Sequence, residues 1–134
     1  RMKTRNLTRL DSTEADTLKT ICDYLDLLQN QGKLLYVRHQ PPMMTSKMVK
    51  GKVKVIFKKP RESQLGAPDL IVFSRAYVDI DGIMCNLPDV LCIEVKSLTG
   101  KLSPAQEKWA EKAVAQGMRY ITARSLEEVV KALR

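Results

Sequence analysis

The amino-acid sequence predicts an α/β fold in which helices flank a mixed central sheet, and three observations carry that prediction. Apolar residues recur at helical spacing near the start, after Ser103 and after Ser125. β-rich runs fill the middle of the chain, and one more lies between the last two helices. The predicted order, αββββαβα, lays the helices against one sheet.

Length and composition agree. The 134 residues, at roughly 100 to 200 per domain, point to one domain over 1–134 with a single core. A hydrophobic content of 44% with 28% charged residues suits a packed globule and excludes a disordered tail, a collagen or a coiled coil. No apolar run approaches the ~18 residues of a membrane span; the densest is Leu70, Ile71, Val72, Phe73. The basic start, Arg1, Lys3, Arg5 and Arg9, leads into an amphipathic helix, so no signal peptide is expected. Cys22, Cys85 and Cys92 are odd in number and lack CxxC spacing, and His39 is the only histidine. That pattern fits thiols in a reducing cytoplasm and assigns no metal to cysteine.

The first helix is expected from about residue 13 to 30. Ala15, Leu18, Ile21, Cys22, Leu25 and Leu28 form its stripe, Asp11 or Ser12 can cap it, and Gly32 lies past its end. Leu34 to Arg38 reads as a short strand halted by Pro41-Pro42. Asp69 to Ser74 and Val90 to Lys96 read as strands, bridged by a short strand around Tyr77 to Ile80 and an Asp81-Gly82 turn. Ser103 then caps a helix with Pro104 first, Gln106 third, Gly117 beyond its end, and Trp109, Ala110, Ala113 and Val114 inward. A strand at Arg119 to Ala123 precedes a last helix, opened by a capping box of Ser125 with Glu128 and buried through Leu126, Val129, Val130 and Leu133.

A formal charge of +8 arises from 23 Lys and Arg against 15 Asp and Glu. Arg38, Lys47, Lys50, Lys52, Lys54, Lys58, Lys59 and Arg61 succeed one another with no acid between them. Lys50, Lys52 and Lys54 alternate with Gly51, Val53 and Val55, which puts the lysines on one face of a strand. Lysines guarding a solvated edge strand explain the alternation. They leave the missing acids unexplained, and a polyanion partner accounts for both. With Lys101 these residues form the expected DNA-binding set.

Val90 to Val95 is apolar on both faces until Glu94, and Glu94 shares a face with Lys96. A carboxylate near the end of a buried strand is costly unless it is paired or binds a cation. A salt-bridged strand end would account for Glu94 and Lys96 alone. Gly66-Ala67-Pro68-Asp69 adds a second carboxylate at the start of a neighbouring run. If the two strands pair, both carboxylates converge on one ion, an arrangement that magnesium favours when phosphate oxygens complete its shell. Lys96 would then reach the attacking water or the scissile phosphate.

Pro68-Asp69 followed by Glu94-Val95-Lys96 resembles the PD-(D/E)XK nuclease signature. The wider sequence, Gly66 to Phe73, Glu94 to Gln106, Trp109, Gly117 and Arg124 to Glu128, is similar to the VRR-NUC family of replication and repair nucleases. The resemblance spans about residues 12–133 and includes Glu14 with Ala15 ahead of Asp23-Tyr24-Leu25. It departs in the basic segment at about 41–64, which is longer than the family's spacing and reads as an insertion.

The resemblance implies a restriction-endonuclease-like core in which Asp69 and Glu94 ligate Mg²⁺ or Mn²⁺ with the Val95 carbonyl, and Lys96 supports the nucleophilic water. Glu14 and Gln106 would be the outer catalytic members. Glu14 falls on the apolar stripe of its helix and is expected to point inward, although a capping role with Asp11 explains it equally. Gln106 is also explained by its capping box with Ser103.

The expected activity is metal-dependent hydrolysis of phosphodiester bonds in branched DNA. Standalone members resemble phage enzymes that resolve Holliday junctions, which makes resolution the favoured reaction. A flap or nick-processing nuclease and a non-catalytic basic binding module are the alternatives. Paired incisions need two sites, so a two-fold homodimer is expected. Tyr24 with Leu27 and the Met43, Met44 and Met48 cluster are the candidate contact surfaces.

Overall fold

A computed structural model describes residues 13–39, 44–57 and 61–134, with 44, 45, 56 and 57 described through their backbone alone. Helix α1 (Glu14–Asn30) is followed by strands β1 (Leu35–Arg38), β2 (Met44–Val49) and β3 (Lys52–Phe57). A 3-10 turn (Glu62–Gln64) leads to β4 (Leu70–Ile80) and β5 (Ile83–Val95), then α2 (Pro104–Ala115), β6 (Arg119–Ala123) and α3 (Leu126–Ala132). The expected α/β class with a mixed sheet is present. No helix among the described residues is long and apolar enough to cross a membrane.

The sheet departs from the expectation of one continuous layer. β1, β4, β5 and β6 form a four-stranded sheet in that order, antiparallel except for the parallel pair β5 and β6, whereas β2 and β3 form a separate two-stranded hairpin. The sequence pattern does not announce β2, since Met44 to Val49 carries polar Thr, Ser and Lys among few β-formers. Lys50 is not a strand residue. It takes φ 50° and Gly51 φ 72° in the turn between β2 and β3, the positive-φ pair of a tight hairpin turn. Lys52 and Lys54 do share a face of β3.

The expected short strand at Tyr77 to Ile80 is the outer half of β4. It turns at Asp81 and Gly82, both at positive φ, into an equally continuous β5. β1 pairs only with Leu70 to Phe73 and β6 only with Leu91 to Val95. From Ser74 with Asp89 to Ile80 with Ile83, the hairpin therefore extends as a two-stranded arm, roughly 20 Å long at the usual strand rise.

Alternation sorts the inner sheet into two faces. Leu70, Val72, Leu91, Ile93, Val95 and Ala123 are buried with Ile21 and Leu25 of α1 and Val129 of α3, and this is the core. Asp69, Glu94 and Lys96 lie on the opposite face. The α1 cap is Thr13, which forms a reciprocal capping box with Asp16; Asp11 and Ser12 lie outside the described residues, as do Pro41, Pro42 and Met43. Ser125 makes no side-chain cap, because Glu128 accepts from the Arg124 N–H instead (2.7 Å). Within α2, Ala113 is buried while Val114 is exposed, contrary to its expected inward place.

Candidate active site

Strand pairing brings the carboxylates together. With Leu70 opposite Ile93, the next register position sets Asp69 beside Glu94 at the inner end of β4 and β5. Asp69 is held by backbone. The Asp69 carbonyl accepts from His39 N–H (2.8 Å), and its Oδ2 accepts from Val95 N–H (2.8 Å). Val95 thus serves Asp69 through its N–H while its side chain fills the core. Pro68, fully buried, fixes the approach into Asp69.

Gly66 makes the approach possible from the other side. Its φ is +81°, and a Cβ there would lie 2.2 Å from the Ala105 carbonyl oxygen. Backbone of the Gly-Ala-Pro-Asp segment therefore packs directly on the first turn of α2. That contact places Gln106 against the site. Ser103 Oγ accepts from Gln106 N–H (3.2 Å) and Gln106 Oε1 accepts from Ser103 N–H (2.9 Å), which is the expected capping box. The same side chain also donates from Nε2 to Glu94 Oε1 (2.9 Å). The capping account of Gln106 holds, and the same side chain reaches Glu94.

Glu94 is 3% exposed. Lys96 Nζ lies 3.8 Å from its Oε1, too long for a strong charge-assisted hydrogen bond, and Oε2 is buried with no partner among the described residues. Burial first, and then the charge of Asp69, push its carboxyl up to about 8, against the opposing pull of Lys96. Lys96 is itself fixed: its N–H donates to the Ala123 carbonyl (3.0 Å). The following loop is tied down by Arg124, whose Nη1 donates to the Ser97 and Gly100 carbonyls.

Two adjacent carboxyl groups, one of them buried with an oxygen that has no partner among the described residues, suit a hard divalent cation. Among the described residues no group of three or more His, Cys, Asp or Glu side chains is placed to hold a metal. The candidate is thus a two-carboxylate site. Glu14 departs from expectation: it is exposed in the first turn of α1, where the core stripe runs through Thr17, Ile21 and Leu25. Thr13 to Asp16 are all exposed at that end of the helix, so a stripe position there meets solvent. No hydrogen bond or ion pair joins Glu14 to Asp69 or Glu94 among the described residues.

Arg38, Lys47, Lys50, Lys52, Lys54, Arg61 and Lys101 are all exposed; Lys58 and Lys59 lie outside the described residues. Lys47 is directly opposite Lys54 across the β2–β3 hairpin. Tyr24, expected at the surface, packs against the core, while Leu27 and Met48 are exposed. The three thiols are free, with Cys92 buried.

Sequence reasoning missed Arg124 as a loop anchor and Tyr120 of β6, whose hydroxyl is buried near the carboxylates without a partner among the described residues. Tyr120 follows Arg119 in an ordinary strand pattern, and nothing local marks it. A groove of about 660 Å³ between the 3-10 turn and α2, lined by Leu65, Lys108, Trp109 and Met118 among others, excludes both carboxylates. The chemistry lies in the convergent carboxylates, Lys96 and Gln106, which that groove lacks.

A family model described as the VRR-NUC domain matches residues 12–127, most of the chain. No curated protein and no solved structure matches it.

Proposed function

This chain belongs to the VRR-NUC family of nucleases, within the PD-(D/E)XK superfamily, and from that premise we propose that it is a Mg²⁺-dependent endonuclease that resolves Holliday junctions. A DNA substrate and a divalent metal are general to such nucleases; branched DNA, magnesium and a single nuclease domain over 1–134 are our own assignments. The observation that carries the site is the unpaired Oε2 of a buried Glu94 set beside Asp69.

Asp69, Glu94 and the Val95 carbonyl would hold the ion, with Mn²⁺ able to replace Mg²⁺. When bound, the ion activates water and neutralises charge growing on the phosphate. Lys96 places a positive charge beside Glu94 and would add electrostatic stabilisation to a phosphate reacting there. Gln106 orients Glu94 through Oε1 and keeps its second oxygen available. Glu14 belongs to this set only if DNA or a helix adjustment brings it inward.

Substrate binding falls to the basic face. Lys47 and Lys54, like charges directly opposite, destabilise their own hairpin, and a polyanion relieves that repulsion. Arg38, Lys50, Lys52, Arg61 and Lys101 extend the same positive field, with Lys58 and Lys59 assigned from sequence.

Two matched incisions require two sites, which a homodimer supplies. The arm offers exposed Tyr77, Val78, Ile80, Ile83, Met84 and Leu87, surface of the kind that marks a protein contact. Its tip carries Asp79 and Asp81, which suits the basic hairpin of a second copy and repels DNA. Cleavage of a labelled four-way junction with and without Mg²⁺, beside light-scattering mass, tests the assignment. Paired symmetric nicks from a dimer are expected. A monomer giving single unmatched nicks would replace resolution with flap or nick processing, and a shifted but uncut junction would leave only a binding module.

A further inference from the structure

Two buried side-chain polar atoms lack a hydrogen-bond partner among the described residues, Glu94 Oε2 and the Tyr120 hydroxyl. They come from neighbouring strands. Cys92 lies opposite Tyr120 and Glu94 opposite Thr122 in the parallel pair β5 and β6, so Tyr120 and Glu94 stand on one face of the sheet, diagonal to each other. Long side chains reach across that spacing. Burial, followed by the charges of Glu94, Cys92 and Asp69, pushes the phenol above its ordinary range, which sets its oxygen in the field of the same carboxylates. A phenylalanine ring would fill this position without burying an unpaired hydroxyl, a costly group to leave unsatisfied.

We propose that Tyr120 is a positioning residue of the active site: its hydroxyl and Glu94 Oε2 share one water molecule, and this fixes the orientation in which the Glu94 carboxylate meets a divalent cation. The proposal rests on reading Asp69 and Glu94 as cation ligands. A buried water needs two to four polar partners, and the hydroxyl and the carboxylate oxygen provide two. Gln106 holds Oε1 from α2 (2.9 Å). Tyr120 constrains Oε2 from β6, so the carboxylate is held at both oxygens and does not rotate away from Asp69.

The test compares Tyr120→Phe with the parent protein. Mn²⁺ is titrated calorimetrically into each without DNA, thermal unfolding is followed without metal, and junction cleavage is measured at saturating DNA. Removing an outer partner of a ligand is expected to weaken Mn²⁺ binding roughly 10-fold and slow cleavage to a similar degree. The metal-free Tm should stay within about 2 °C, because the hydroxyl has no protein partner to lose. Parent-like Mn²⁺ affinity in the variant would overturn the proposal. So would a metal-free Tm lowered by more than about 4 °C, the mark of a hydroxyl bonded within the fold. A parent protein that took up no Mn²⁺ would overturn the cation reading itself, whereas a parent that binds and cuts while the variant matches it removes Tyr120 alone.

Discussion

From Leu70 to Phe73, β4 lies between β1 and β5, and its partner segment in β5 lies beside β6. From Ser74 to Ile80 the same strand has β5 as its only neighbouring strand among the described residues. The inner half buries Leu70, Val72, Leu91, Ile93 and Val95 completely; the outer half leaves Tyr77 70% and Ile83 67% exposed. Val, Ile and an aromatic residue occur in both halves, although Asp79, Asn86, Pro88 and Asp89 thin them in the outer one, so β-propensity by itself does not set burial. Flanking strands and helices do. They desolvate the inner half enough to make a carboxylate there chemically unusual, while the outer half, an otherwise marginal two-stranded ribbon, stays available for contacts outside the chain.

The sharpest test of this division is at the carboxylates. Asp69→Asn and Glu94→Gln retain hydrogen-bond acceptors for Val95 and Gln106 but remove charge from the proposed cation site. Removing a group that merely supports a metal ligand typically costs 10- to 100-fold, so removing a ligand itself should lower cleavage by more than ~100-fold. DNA affinity in a gel-shift without metal should stay near the parent value. Full cleavage by Asp69→Asn would separate the family match from this site.

Gly66→Ala probes the packing that builds the site. The substituted Cβ would meet the Ala105 carbonyl at 2.2 Å, at a φ of +81°. Backbone strain and overpacking together should cost ~2–4 kcal/mol, read by urea unfolding, and cleavage should fall because Gln106 moves with α2. An unchanged urea midpoint would mean that this segment does not hold α2.

The pH dependence of the metal-free fold follows from Glu94, whose carboxyl is raised from about 4.5 to about 8 by burial and Asp69. The folded state retains a proton that the unfolded chain loses. Its contribution to stability is complete below the unfolded value and is lost as pH rises through about 8. Metal-free protein should therefore be less stable at pH 8.5 than at pH 5, by roughly 2 kcal/mol or more, in chemical denaturation. Glu94→Gln should remove most of that slope. The opposite slope in the parent would place Glu94 in a solvated environment like that of the arm.

The contrast also shows what was legible in the sequence. The site was legible where charge interrupted an apolar run, at Glu94, and where Gly-Pro-Asp punctuation preceded another, at Asp69. Their meeting followed from strand pairing alone. Glu14 read as inward-facing because helical periodicity does not say which turns of a helix are covered. Tyr120 was illegible because an orphaned hydroxyl exists only relative to its neighbours in space. Tyr77 to Ile80 read as a separate short strand because sequence patterns give β-formers but not which strands will flank them.

Basic and acidic segments should respond differently to salt. Replacing Lys52 and Lys54 with Gln should weaken binding to every DNA form and reduce the slope of log K against log salt by roughly 0.9 for each duplex phosphate no longer neutralised. An unchanged slope would make these lysines solvated guards of a hairpin edge. Asp79→Asn on the arm should leave that slope unaltered.

The smallest effect on the fold, and the most informative about the arm, is expected from Ile83→Lys with Met84→Lys. Both side chains are about two-thirds exposed, so neither fills the core, and surface changes of this kind usually stay within about 0.5 kcal/mol. Incision of the junction itself should continue, because Asp69 and Glu94 lie at the other end of β4 and β5. Association is different. If the arm packs on a second copy, two lysines at its tip add desolvation cost and repel the partner's Lys52 and Lys54. Light-scattering mass should then fall towards the monomer, and junction products should change from paired to single nicks. A variant that kept both its dimeric mass and paired nicks would move the interface off the arm, with exposed Leu27 on α1 as the remaining apolar candidate from the first helix. Failure of that same variant to cut the junction at all would show that the two halves of the hairpin are coupled after all.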